Sequence, residues 1–186
     1  LNWVESVMAH AATAPDRKAV VAEDEEGRVQ SLSYAELAVL TRRFAAGLRA
    51  QGVGRGDRVG LLCDNGIEAT VSVLALASLG AIVVPLFSGF GAEAVVSRLE
   101  PSAAKAVIAT TGFFRRALYV DMQPVLQEAL AALPSVQTVI WKRAEGVALP
   151  EGGVDWADLA ATPDDGRAAE SMDPMDPFMV IYTSGT

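Results

Sequence analysis

The sequence predicts an α/β fold: a three-layer, doubly wound, mainly parallel sheet with an N-terminal β-hairpin. Two observations carry that prediction. Short β-branched runs, Val59 to Leu62, Ile82 to Val84, Ala106 to Ala109 and Thr138 to Trp141, alternate with stretches of helical apolar spacing, which is the pattern of strand–helix–strand units. The uncharged run Ala69 to Ala92 also changes period halfway, helical to Leu79, stopped at Gly80, then a strand Ala81-Ile82-Val83-Val84 ended by Pro85. Such a run is long enough to cross a bilayer. The internal stop places it in one buried α/β core instead, so no membrane insertion is expected.

In chain order, Asn2 is placed to cap a helix from about Trp3 to Ala12, with Trp3, Val4, Val7 and Met8 on its apolar face and Pro15-Asp16 closing it. Lys18 to Ala22 and Arg28 to Leu32 flank the charged turn Glu23 to Gly27 and predict a hairpin at a sheet edge. Ser33-Tyr34-Ala35-Glu36 is a capping box, after which Leu37, Leu40, Phe44, Ala45 and Leu48 recur at helical spacing until Gly52. The turn-rich connector Gly52 to Asp57 leads to the strand Arg58 to Leu62, and Asn65 is a candidate cap for a helix from about Ile67 to Leu79. Connections this short between Val59–Leu62 and Ile82–Val84 require those strands to be parallel. A helix from about Glu93 to Leu99, the strand Ala106 to Ala109, a helix from about Pro124 to Leu133 with Asp121 as candidate cap, and the strand Thr138 to Trp141 repeat the unit.

From Lys142 to Pro177 the periodicity fails at Pro150, Gly152, Gly153, Pro163, Gly166, Pro174 and Pro177, leaving a short helical patch around Trp156 to Leu159. Residues 142–177 are expected to form an irregular, acidic surface excursion. It ends in Met179-Val180-Ile181-Tyr182, whose β-branched and aromatic side chains predict a buried strand, the fifth parallel candidate.

Composition narrows the function. At 186 residues and 51% hydrophobic content the chain can bury one sizeable α/β core. A formal net charge of −8 disfavours nucleic acid and anionic membrane as partners. The single cysteine, Cys63, excludes an internal disulfide, and without a secretory signal pattern the expected setting is reducing and cytoplasmic. His10, the one histidine, has no second ligand nearby and is expected to be a surface or packing residue.

The last residues, Thr183-Ser184-Gly185-Thr186, offer three hydroxyls and several amides beside a glycine through which a phosphate can approach the main chain. On composition alone the same four residues also describe an ordinary surface turn. No Gly-x-x-x-x-Gly-Lys-Ser/Thr run is present, which speaks against a P-loop NTPase.

Ile181-Tyr182-Thr183-Ser184-Gly185-Thr186 resembles the opening of the AMP-binding motif of the adenylate-forming superfamily, where the loop continues with Thr-Gly-x-Pro-Lys and holds the phosphates of ATP. Leu32-Ser33-Tyr34-Ala35-Glu36-Leu37 resembles that family's first core motif and Leu76 to Leu86 its second, in the same order. The wording Pro85-Leu86-Phe87-Ser88-Gly89-Phe90-Gly91, then Glu93-Ala94 and Arg98-Leu99, is similar to the acetyl-CoA synthetase-like short- and medium-chain acyl-CoA synthetases.

The resemblance implies a two-step ligase. A small-molecule carboxylate attacks Mg2+-bound ATP to give acyl-AMP and pyrophosphate, and the CoA thiol then displaces AMP. It assigns Thr183, Ser184, Gly185 and Thr186 to the ATP phosphates. It assigns Phe87, Ser88 and Gly89 to the CoA adenine and Arg115 to the CoA phosphates, with Arg116 standing in for a more distant arginine at a spacing that departs from the pattern. No metal ligand and no catalytic side chain is assigned. The resemblance implies that residues 1–186 are an N-terminal subdomain cut inside the phosphate loop, inactive alone, and working with the remainder of the enzyme. A free-standing α/β binding or scaffold domain, or an adenylation domain of another branch of the superfamily, is the alternative.

Overall fold

The computed structural model describes residues 1–183. The predicted class is what forms: a five-stranded, all-parallel sheet of order β4-β3-β5-β8-β9, built from β3 (Arg58–Leu62), β4 (Ile82–Pro85), β5 (Ala106–Thr110), β8 (Thr138–Lys142) and β9 (Val154–Asp155). Two antiparallel hairpins flank it, β1 (Lys18–Glu23) with β2 (Val29–Ser33), and β6 (Gly112–Arg115) with β7 (Leu118–Asp121).

Side chains of the parallel strands alternate between two cores, as a pleat of period two requires. Val59, Leu61, Val83, Ile108 and Ile140 face one core with α3 (Tyr34–Ala50), α4 (Ile67–Ser78) and α7 (Trp156–Ala160). Leu62, Val84, Val107, Ala109 and Trp141 face the other with α5 (Ala92–Leu99) and α6 (Gln123–Leu130). At Gly60 the Leu99 side chain takes the place of a Cβ, reaching within 2.9 Å of it.

Helix ends obey local chemistry. Ser33 Oγ accepts from Glu36 N at 3.2 Å and Glu36 Oε2 accepts from Ser33 N at 2.8 Å, the capping box read from sequence. The Ser33 amide and hydroxyl thereby hold the Glu36 carboxyl below its ordinary range. Both α3 and α4 stop at a glycine of positive φ, Gly52 at 80° and Gly80 at 66°, each with the following amide bonding back to Leu48 O or Leu76 O at 3.0 Å.

Several expectations need correction. The first helix is interrupted at Ala9, giving α1 (Trp3–Met8) and α2 (His10–Thr13). Asn2 caps α1 as predicted, but it is also buried and donates to Ala77 O at 2.8 Å, tying the chain start to α4. Gly66, not Asn65, is the residue before α4, and α6 begins after Met122, although Asp121 Oδ1 does accept from Gln123 N at 3.0 Å. Arg115 and Arg116, which follow the predicted strand Ala106 to Ala109, belong to the β6–β7 hairpin, which turns at Arg116 and Ala117 with φ of 52° and 60°.

The stretch 142–177 is less irregular than its prolines and glycines imply. Val154 and Asp155 extend the sheet beside Ile140 and Trp141. The helical patch is α7, and it is core rather than surface. Trp156 stacks on Phe44 at 4.7 Å and donates to Ser72 Oγ at 3.0 Å. Three of the acidic residues beyond it are tied down by arginines, Asp164 to Arg42 at 2.8 Å, Asp165 to Arg49 at 2.7 Å and Asp176 to Arg55 at 2.8 Å.

The closing strand is reduced to a single parallel bridge, Met179 beside Val83, in which Val83 N donates to Phe178 O and Val180 N to Val83 O, both at 2.9 Å. Met179 packs on one core and Val180 on the other, but Ile181 is 68% exposed, so the expected burial stops there. The bridge nevertheless delivers Thr183 to the carboxyl end of the sheet.

Gly47 tests the layer packing. A Cβ there would stand 2.8 Å from both the Cβ and the carbonyl oxygen of Leu159, so α3 and α7 touch through backbone. Gly47→Ala gains up to about 1 kcal/mol of helix propensity, but it forces α7 away and should lose about 1–3 kcal/mol by overpacking. Gly54→Ala, in open space, should be neutral or slightly stabilising. Thermal unfolding of the two variants checks the contrast, which disappears if α7 is not docked on α3.

Candidate functional site

The carboxyl ends of β3, β4, β5 and β8 open into one cleft of about 980 Å3. Its walls are the loops that follow those strands: Asp64-Asn65-Gly66 after β3, Phe87-Ser88 after β4, Gly112 to Arg115 after β5, and Lys142-Arg143-Ala144 at and beyond the end of β8. The β1–β2 turn closes the far side with Glu23, Asp24, Glu25 and Glu26. An open parallel sheet places its ligand site at this edge because the loops of neighbouring strands converge there.

Two buried threonines hold the β5 loop. Thr110 Oγ1 donates to Gly112 O at 2.8 Å, and Thr111 Oγ1 accepts from Ala144 N at 2.9 Å, fastening the β5 end to the β8 end. Tyr119 folds over Gly112 so closely that no side chain fits there. Phe114 meets the Tyr119 ring edge-on at 5.6 Å, completing the hairpin from which Arg115 projects.

Charge pairing distinguishes the cleft's cations. Lys142 Nζ donates to Asp64 Oδ2 at 2.7 Å and lies 3.7 Å from Glu68. Burial acts to lower its pKa, but Asp64 and Glu68 override that and hold the ammonium above its ordinary value. Arg143 is hydrogen-bonded to the buried Asp155, and Arg28 pairs with Asp24 at 2.6 Å and Glu26 at 3.2 Å. Among the described residues no carboxylate stands within salt-bridge distance of Arg115 or Arg116. Cys63 sits under this region. Burial, reinforced by the Asp64 charge, pushes its thiol well above the ordinary range, so it is no nucleophile at neutral pH.

Of the residues singled out from sequence, Phe87, Ser88 and Arg115 line this one cleft, although β5 and α5 separate them along the chain. Gly89 lies behind Phe87, whose ring occupies the space a Gly89 side chain would need, and Arg116 is in the hairpin turn outside the lining. Thr183 is exposed, while Ser184, Gly185 and Thr186 lie outside the described residues. Sequence reasoning missed the Lys142–Asp64–Glu68 cluster. The signal available for it was position, since Asp64 and Lys142 stand just past or at the carboxyl ends of strands.

Among the described residues no group of three or more His, Cys, Asp or Glu side chains is arranged to hold a metal ion, and no helix is long and apolar enough to cross a membrane.

Comparison with known proteins finds the same fold in solved structures and a shared family. The acetyl-coenzyme A synthetase of Rhodopirellula baltica is 36% identical over 191 aligned positions, covering 97% of this chain and 28% of its own length. That of Methanothrix thermoacetophila is 34% identical, covering 86% of this chain and 25% of its own length. The solved acetoacetyl-CoA synthetase from Streptomyces lividans superposes with a TM-score of 0.94 at 31% identity, over 100% of this chain and 28% of that one. A Brucella canis acyl-CoA synthetase gives 0.82 at 27% identity, over 100% of this chain and 32% of that one. The chain therefore spans about 28% of the length of such relatives. The sequence profile of the AMP-binding enzymes matches residues 7–186, and the chain belongs to that family.

Proposed function

We propose that this chain is the N-terminal part of an acyl-CoA synthetase that activates a small carboxylic acid with ATP and passes the acyl group to CoA. Within it, the cleft beside the β6–β7 hairpin receives the nucleotide end of CoA. The observation that supports this most is the meeting of Phe87, Ser88 and Arg115 in one cleft where Arg28, Lys142 and Arg143 are already paired with carboxylates. Arg115 is then the cleft cation left to take an anion, and a guanidinium suits a phosphate because its planar fork makes two parallel hydrogen bonds. The acidic β1–β2 turn confines a phosphate to the hairpin side of the cleft. The exposed ring of Phe87 offers a face for a purine.

In the first step a carboxylate oxygen attacks the α-phosphorus of ATP, which enters with its Mg2+, and pyrophosphate leaves. On this reading the hydroxyls of Thr183, Ser184 and Thr186, together with the backbone amides of these residues and of Gly185, hold the phosphates. Preorganised donors of this kind stabilise charge that grows on phosphate oxygens. In the second step the thiol sulfur bonds to the acyl carbon and AMP departs. Arg115 and the Phe87 turn contribute by anchoring the far end of the thiol's carrier, which lowers the entropy cost of reaching the acyl group.

The phosphate loop acts with the lysine that follows it in the family motif, and the partner domain completes the reaction geometry. The isolated 186-residue chain should therefore show only background ATP–pyrophosphate exchange, and clear exchange would show that the catalytic machinery lies within it. In the full-length enzyme, Arg115→Ala should raise the CoA requirement about tenfold or more, since a hydrogen bond to a charged group is worth roughly 1.5–3 kcal/mol. Acyl-AMP formation should be unchanged. An unaltered CoA requirement, or an equal loss in exchange, places the CoA site elsewhere.

A further inference from the structure

We propose that Arg98 is a positioning residue that couples the phosphate loop to the Phe87–Phe90 turn, so that the two half-reactions share one mechanical support. The inference rests on the functional reading of those two segments given above. Arg98 lies in the last turn of α5, whose Val95 and Leu99 are fully buried, so its main chain is held by the core. Its side chain is aimed by hydrogen bonds from Nη1 to Ala94 O at 2.8 Å and to Ser97 Oγ at 3.2 Å. Among the described residues it has no carboxylate partner.

Two aromatic rings take that role. The guanidinium carbon stands 4.2 Å from the centre of the Phe90 ring and 5.8 Å from that of Tyr182, both within the range of cation–π attraction. Tyr182 is tied to Arg98 a second time, its hydroxyl donating to the Arg98 carbonyl oxygen at 2.9 Å. Phe90 meets Phe87 edge-on at 5.7 Å, and its amide donates to Phe87 O at 2.9 Å. A continuous path therefore runs from Phe87 through Phe90 and Arg98 to Tyr182, the residue immediately before Thr183.

The path matters because little else fixes its ends. Beyond Val180 the bridge to Val83 has ended and Ile181 is exposed, so the Tyr182 contacts are what orient the chain entering Thr183. The Phe87 ring is likewise 59% exposed. One cation shared by two rings cannot keep its best position over both if either moves. A shift in the turn is thereby transmitted to Tyr182 and so to Thr183, where the motif's hydroxyls begin, and the reverse.

The test uses the full-length enzyme and reads the half-reactions separately, ATP–pyrophosphate exchange for the first and thioester formation from supplied acyl-AMP for the second. Phe90→Leu lies in the CoA turn, yet it should slow exchange about three- to tenfold through Arg98. In the Arg98→Met background the same substitution should no longer affect exchange. An unchanged exchange rate in Phe90→Leu, or an effect that persists undiminished in the Arg98→Met background, overturns the coupling. If Arg98→Met does not fold, Arg98→Gln serves, because it removes the cation while keeping a polar chain that can still donate a hydrogen bond.

A readout independent of catalysis is the double-mutant cycle of Phe90→Leu and Tyr182→Leu on the unfolding midpoint. Non-additivity is expected with Arg98 present and additivity without it. Additive midpoints with Arg98 present refute the coupling whatever the activity shows. Non-additive midpoints together with an exchange rate unaffected by Thr183→Ala leave the coupling standing and remove the functional reading instead.

Discussion

A parallel sheet buried on both faces is the constraint from which the rest of this structure follows. From Val59 to Leu62 the interior strand β3 is enclosed, pairing with β4 on one side and β5 on the other. β3, β4, β5 and β8 then each offer apolar residues to both faces, and helices cover both. Parallel connection also sends every strand's exit to the same edge, so Asp64, Phe87, Arg115 and Lys142 meet there without being neighbours in sequence. The site is a consequence of topology before it is a consequence of any one residue.

Electrostatics then sorts the residues gathered at that edge. The chain is acidic overall, and most of its basic side chains at the cleft are occupied by carboxylates nearby. Lys142 serves Asp64 and Glu68, and Arg143 serves Asp155, which also caps α7. These pairs fix the ends of β3, β8 and β9 relative to one another. Arg115 is left on a hairpin whose base is held by Thr110 and Thr111. Position and pairing together single it out as a cleft cation with no carboxylate partner among the described residues, where sequence alone showed only two adjacent arginines.

Much of the fold was legible because it is written in local rules. The Ser33–Glu36 box, the glycine stops at Gly52 and Gly80, and the change of period after Gly80 each have a short-range physical cause, and each appears where expected. The β6–β7 hairpin was not legible because its turn residues, Arg116 and Ala117, are not the glycine or asparagine that usually mark positive φ. Two-residue β9 and the burial of Trp156 depend on partners far along the chain, Trp141 and Phe44, which no local pattern reveals. At the site the residue types were visible, but their pairing state was not, and pairing is what separates Arg115 from Lys142.

The central claim is that this cleft receives the nucleotide of CoA. A crystal structure of the full-length enzyme with CoA bound tests it most directly. The account predicts a CoA phosphate oxygen within about 3 Å of the Arg115 guanidinium and the adenine against the Phe87–Gly89 turn. A nucleotide bound away from the β6–β7 hairpin, with Arg115 left in solvent, would contradict it.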